Sequence, residues 1–283
     1  MAKKKRKVRW RRLILLLLPV FLIIAGIWGG VHALFSYFEQ KHREEIESIV
    51  CPEDLDQDLF EQVKQNALEG SDGDEKIIKN INAYSNDILE FLLEDPDRMD
   101  FVLHYPQRDD YEQASEMLNV DLNEVPYLCQ WDLQWGYTTY GDAYFYQTGC
   151  APTCLSMVFS YLLQDASVTP SKLAEFAQEN NLYVSGTGTD WNFLTQAANQ
   201  YGVNVERIAV SSSSIQEALS EGKIIVSSMV PGDFTRIGHF IVLAGLQDGK
   251  VVVHDPNSPS RSEKLWDLDT ISSQTQGLWA YSN

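Results

Sequence analysis

Cysteine is scarce in this chain: Cys51, Cys129, Cys150 and Cys154 are the only four in 283 residues. So few cannot make a disulfide scaffold, so the fold must rest on an apolar core, which a chain of this length can build. Positive charge is also scarce outside the first twelve residues. Eight of the 22 Lys and Arg precede residue 13, while all 40 Asp and Glu follow it. A body this acidic repels phosphate backbones, which excludes nucleic acid as a partner. Histidine is limited to five positions, His32, His42, His104, His239 and His254. No internal repeat is visible, and the one low-complexity tract is Ser211 to Ser214.

A long apolar run is present once. Residues 13–35, LILLLLPVFLIIAGIWGGVHALF, contain no formal charge. Their length suits a bilayer-spanning helix. Residues 1–12 form a basic tail in front of it, and the acidic body follows. That asymmetry predicts an N-terminus in the cytoplasm and a C-terminal domain outside the cell membrane. Val31 to Ala33 resembles a signal-peptide cleavage site, but the run is long for a signal peptide, which favours an uncleaved anchor.

Residues 36–124 read as a helical stalk or arm. SYFEQKHREEIESIV and DEKIIKNINAYSNDILEFLLE carry apolar residues at helical spacing around a loop, EGSDGDE. From residue 125 the pattern changes. An aromatic, irregular stretch precedes an apolar helix from Ala151 to about Leu163, with Leu155, Val158, Phe159 and Leu162 on one stripe. Helices are predicted at 171–181, 190–201 and 214–221, then strands at 205–210, 223–230, 239–246, 250–254 and 278–281. Helices first and strands later predict an α+β domain over 125–283 with an antiparallel sheet.

Cys150 falls where the apolar helix begins. Unpaired N–H groups and the helix dipole there stabilise a thiolate. Cys154, one turn on, has the sequence context of a small core residue. A nucleophilic cysteine needs a base, and only His239 and His254 lie in the strand half. With a three-residue loop at Gln247, Asp248 and Gly249, Leu246 would oppose Lys250 and Ile241 would oppose Asp255. His239, Asp255 and Asn257 then share a face and His254 takes the other. His239 is the expected base, with Asp255 or, alternatively, Asn257 orienting its ring. An oxyanion also needs donors: the Cys150 N–H and a side-chain amide, for which Gln130 is chosen over Gln134 and Gln147. If Cys150 is free, the other three cysteines cannot all pair.

Together, LCQWDLQWGY, TGCAPTCLSMV, GHFIVLAG and HDPNS resemble the C39-like family of cysteine peptidases, over roughly residue 125 to the C-terminus. The resemblance implies a papain-like α+β fold in which the nucleophile helix packs on the antiparallel sheet. It implies Gln130 in the oxyanion hole, Cys150 as nucleophile, His239 as base and Asp255 as third member, with no cofactor. Family members commonly show Gly-Cys-Gly-Pro, and here Ala151 stands third. A helical Ala151 would be harmless, whereas one at positive φ would strain the turn.

The leading expectation is a membrane-anchored extracellular thiol peptidase acting on a peptide or protein substrate. A cell-wall peptide hydrolase would use the same machinery. A catalytically silent module that binds peptide or partner protein is the alternative from another class. A zinc site from Cys150, Cys154, His239 and His254 is disfavoured, because the hairpin puts the two histidines on opposite faces. Trp131, Trp135, Tyr137, Tyr140 and Trp191 could line a cleft or pack a core.

Overall fold

The computed structural model describes residues 10–111 and 115–283, with side chains from residue 27 onward. The chain divides after Asn86 into two compact units. The first holds α1 (Trp10–Glu47), α2 (Gln57–Leu68) and α3 (Asp72–Lys79). Asp56 starts α2 by accepting from the Asp58 and Leu59 N–H groups at 2.9 and 3.1 Å, the work of an N-cap carboxylate. Ser71 caps α3 in the same way. Phe60, Val63 and Ala67 on α2 and Ile77 and Ile78 on α3 are buried at helical spacing. The expected span at 13–35 falls on α1, and the side chains of its first half lie outside the described residues. Among the described residues no helix is long and apolar enough to cross a membrane.

The second unit begins in α4 (Asn86–Glu94) and continues with α5 (Met99–Leu103), a small hairpin of β1 (Thr139–Tyr140) and β2 (Ala143–Tyr144), and α6 (Phe145–Thr148). The apolar helix α7 (Cys150–Leu163) follows, then α8 (Pro170–Glu179), the hairpin β3 (Tyr183–Val184) and β4 (Gly188–Thr189), and α9 (Asn192–Tyr201). The strand half comprises β5 (Asn204–Ile208), α10 (Ser212–Ser220), β6 (Ile224–Met229), β7 (His239–Gln247) and β8 (Lys250–His254). It ends with α11 (Pro259–Ser262), β9 (Leu265–Trp266), α12 (Leu268–Ser273) and β10 (Thr275–Ser282).

Six strands form one sheet in the order β5-β10-β6-β7-β8-β9, antiparallel at every step. Every residue of β6 is buried, so both faces of the sheet are covered. Alternate residues serve different cores. Val226, Val242, Trp279 and Tyr281 pack with Cys154, Leu155, Val158 and Phe159 of α7. Ile225, Ile241, Leu243 and Leu278 pack with Ile215 and Leu219 of α10 and Ile271 of α12. Each large apolar side chain so buried contributes about 1.5–3 kcal/mol of transfer free energy. An α+β domain with a central antiparallel sheet is therefore what the helix-then-strand sequence folds into.

The hairpin of β7 and β8 departs from expectation and corrects it. Its turn has two residues, not three: Gln247 pairs with Lys250, while Asp248 and Gly249 sit at φ 53° and 77°. Two left-handed residues in succession make the turn whose twist matches the strands, and Asp-Gly suits it. That turn alone would set Asp255 on the wrong side of the sheet. A bulge between Leu243 and Gly245 takes up one residue, after which Leu243 pairs with Val253 and Val242 with His254. Beyond the bulge the alignment equals the one a three-residue loop would have produced.

Candidate active site

Cys150 is the first residue of α7, and Ala151 to Ser160 behind it are buried. Pro152 sits in the first turn, where its missing N–H costs nothing. Ala151 is helical and without positive φ, so the turn carries no strain from replacing glycine. Gly149 precedes the thiol, and a Cβ there would lie 2.3 Å from the Phe145 ring, so only glycine fits. Cys154 is fully buried, and burial raises its thiol pKa well above the ordinary value. All four cysteines are free.

His239 opens β7 and is 8 % exposed. Its Nε2 lies 2.7 Å from Asp255 Oδ1. An ionised carboxylate only accepts, so Nε2 carries the hydrogen and Nδ1 is left for the thiol. Cys150 lies near enough to the ring to help raise its pKa. Burial alone would lower the imidazole pKa; Asp255 and Cys150 more than offset it and raise it to about 9. The arrangement stabilises an imidazolium.

Asp255 follows β8 and is fully buried. Its Oδ1 also accepts from the Asn257 N–H at 2.8 Å, and its Oδ2 accepts from Arg261 Nε at 2.5 Å. Burial pushes this carboxyl pKa up, but His239 and Arg261 outweigh it, and the group stays below the usual carboxylate range. Asn257 thus reaches the carboxylate through its backbone, while its own Oδ1 is buried without a partner among the described residues. The residue on the ring is Asp255. Arg261 was not anticipated; it is carried by the single turn α11, which Ser258 caps and Pro259 begins.

Gln130 ties the two halves of the site together. Its backbone N–H donates to Pro256 O at 2.7 Å and its Nε2 donates to Tyr146 O at 2.7 Å. Nε2 has a second hydrogen, and Oε1 is buried without a partner. The rival glutamines are engaged elsewhere. Gln147 accepts from the Tyr144 N–H at 3.1 Å, and Gln134 donates to Asp132 at 3.3 Å. His254 sits on Pro126 O at 3.2 Å, and burial lowers its pKa. Among the described residues no cluster of three or more His, Cys, Asp or Glu side chains could hold a metal. Of the aromatic candidates, Trp135, Tyr137 and Tyr140 are core, whereas Trp191 is 37 % exposed.

The model of the Peptidase C39-like family matches residues 122–283, more than half of the chain. The chain belongs to that family. Its C39-like domain is similar to the peptidase domain of Streptococcus ComA, described as a bi-functional ABC transporter involved in quorum sensing. Identity is 19 %, the TM-score is 0.37, and the match covers 48 % of this chain and 92 % of that one. A putative C39-like peptidase from Bacillus anthracis is 18 % identical, with a TM-score of 0.35 and coverage of 60 % and 98 %. No curated protein matches the chain. Every residue of the candidate site falls inside the C39-like match.

Proposed function

We propose that the C39-like domain is a cysteine peptidase of papain-like fold, with Cys150 as nucleophile, His239 as general base and acid, and Asp255 orienting the ring. The observation that carries this reading is the 2.7 Å contact of His239 Nε2 with Asp255 Oδ1, on a ring that Cys150 also engages. In the reaction the Cys150 thiolate attacks the scissile carbonyl carbon. The oxyanion is met by the Cys150 N–H and the uncommitted Gln130 amide hydrogen. The His239 imidazolium gives its proton to the leaving amine, which departs and leaves a thioester. Imidazole then takes a proton from water as the water attacks the thioester, releasing the acid and restoring the Cys150 thiolate beside the His239 imidazolium.

We further propose that α1 anchors this domain to the cell membrane with the domain outside and the basic tail in the cytoplasm. The charge asymmetry of the sequence supports it, as do the exposed Ile27, Trp28, Val31, Leu34 and Phe35 on one continuous helix. The deciding experiment is turnover of a peptide library by the purified protein and by Cys150→Ala. Cleavage that disappears in the variant is expected. Labelling of Cys150 by a thiol probe without any turnover would instead favour the silent binding module. Protease added to intact cells should digest the domain and spare the tail; protection of the domain would overturn the topology.

A further inference from the structure

Arg207 is a cation that stacks on two indoles. It stands on β5 directly opposite Trp279 of β10. Its guanidinium carbon lies 4.8 Å from the Trp279 ring and 5.5 Å from the Trp191 ring. The two indoles meet edge to face, 5.2 Å between centroids. Contact with ring faces holds a guanidinium in place while its in-plane N–H donors stay available. Among the described residues Arg207 makes no ion pair, in a chain with 40 acids, and the adjacent Glu206 is taken by Lys223.

The register of the sheet sets Arg207 in one row with Trp279, Val226 and Val242, three residues along β7 from His239, and its side chain leans toward the histidine end. The Trp279 ring leans back along β10 over Gly277. A Cβ on Gly277 would lie 2.9 Å from Trp279 Cη2 and 3.3 Å from Arg207 Nη2, so the bare backbone there is what lets both settle. Gly277 pairs with Ser228, and Ser228 pairs with Phe240, the neighbour of His239. The Phe240 and Trp279 rings are 6.4 Å apart. On the α7 face, where Phe240 and Trp279 share a core with Cys150 packed against it, two strand spacings, about 10 Å, separate β7 from β10, over which the guanidinium lies. An extended peptide covers that in about three residues. Trp191, half of the stack, is partly open to solvent.

We propose that Arg207, held by Trp191 and Trp279, is a specificity residue that takes the carboxylate of an Asp or Glu side chain about three residues from the scissile bond. The proposal rests on the peptidase reading of the site. A planar guanidinium matches a carboxylate with two parallel hydrogen bonds. On an acidic protein an available cation beside the cleft discriminates, because an acidic side chain placed next to the protein's own carboxylates meets repulsion. A purely structural Arg207, serving only as a cover for the two indoles, would leave substrate charge irrelevant.

The test uses peptides that differ only in Glu, Gln or Lys at each of four positions on either side of the cleaved bond. The wild-type protein should prefer Glu over Gln by about tenfold in kcat/KM at one position, and disfavour Lys further. Arg207→Gln should flatten that preference and Arg207→Glu should invert it toward Lys, with circular dichroism confirming the fold. Binding of the same peptides to Cys150→Ala, read by fluorescence anisotropy, reports recognition without turnover. Equal cleavage of all three peptides at every position overturns the inference and leaves the peptidase standing. Glu-selective binding that Arg207→Gln removes, with no turnover by wild type, supports the subsite and overturns the peptidase. Neither cleavage nor charge-dependent binding overturns both.

Discussion

Arg261 Nε stands 2.5 Å from Asp255 Oδ2, and the carboxylate it meets is fully buried. The guanidinium makes an ionised Asp255 tolerable at that depth, and an ionised Asp255 is what holds the His239 ring. Arg261→Gln should cost about 1–3 kcal/mol of stability at neutral pH. The sign of its pH effect is fixed. Asp255 in the folded protein lies below its ordinary pKa, so its stabilisation is present above that value and lost as pH falls through the folded one. The variant raises the folded value toward the ordinary one, so its stability should vary less with acid. Urea titrations of both proteins between pH 7 and 3 measure this; parallel losses would refute the role.

His239 gives the opposite limb. Its pKa rises from an ordinary 6.5 to about 9, so its stabilisation is complete below 6.5 and disappears as pH rises through about 9. The contribution is on the order of 3 kcal/mol at most. Wild type should lose stability between pH 7 and 10, and His239→Gln should show a flatter profile. The alkaline limb of kcat/KM should have its midpoint near 9, where the imidazolium that protonates the leaving amine is lost.

Cys150 and Cys154 offer a comparison of the same chemistry at two depths. Iodoacetamide should modify Cys150 in the native protein and reach the fully buried Cys154 only on unfolding. Cys150→Ala should abolish turnover and keep the fold. Cys154→Ala should keep turnover and cost about 1 kcal/mol. Peptide mapping after timed alkylation is the measurement, and equal labelling of the two thiols would remove Cys150 from its assigned role.

Gln130→Ala should lower kcat by roughly two to three orders of magnitude while Cys150 still alkylates. The same substitution removes the donor to Tyr146 O, so a loss of thermal stability accompanies it. Gln130→Glu keeps the length and takes away the amide hydrogens. If that variant turned over normally, the oxyanion assignment would fail.

Much of this was legible before any coordinates, for reasons that differ by element. The helix α7 announced itself through Leu155, Val158, Phe159 and Leu162, and five of the six sheet strands through apolar runs of strand length. The two-residue strands β1 to β4 and β9 carry no periodic signal, because two residues cannot show a period. Arg261 was invisible for another reason. It comes six residues after Asp255, and only the folding back of α11 from its Ser258 cap brings it to the carboxylate. The Ser-Pro pair at 258–259 was the available sign of that turn.

The bulge at Ala244 has a consequence for how this hairpin tolerates change. Turn and site are out of phase by one residue, and the bulge is the phase shifter between them. Deleting Ala244 takes out that extra residue and leaves Leu243 opposite Val253 and Val242 opposite His254, so His239 and Asp255 should keep their common face and turnover should survive. A residue inserted into β7 between His239 and Val242, beyond the bulge, has no such outlet: it should turn His239 away from Asp255 and abolish turnover.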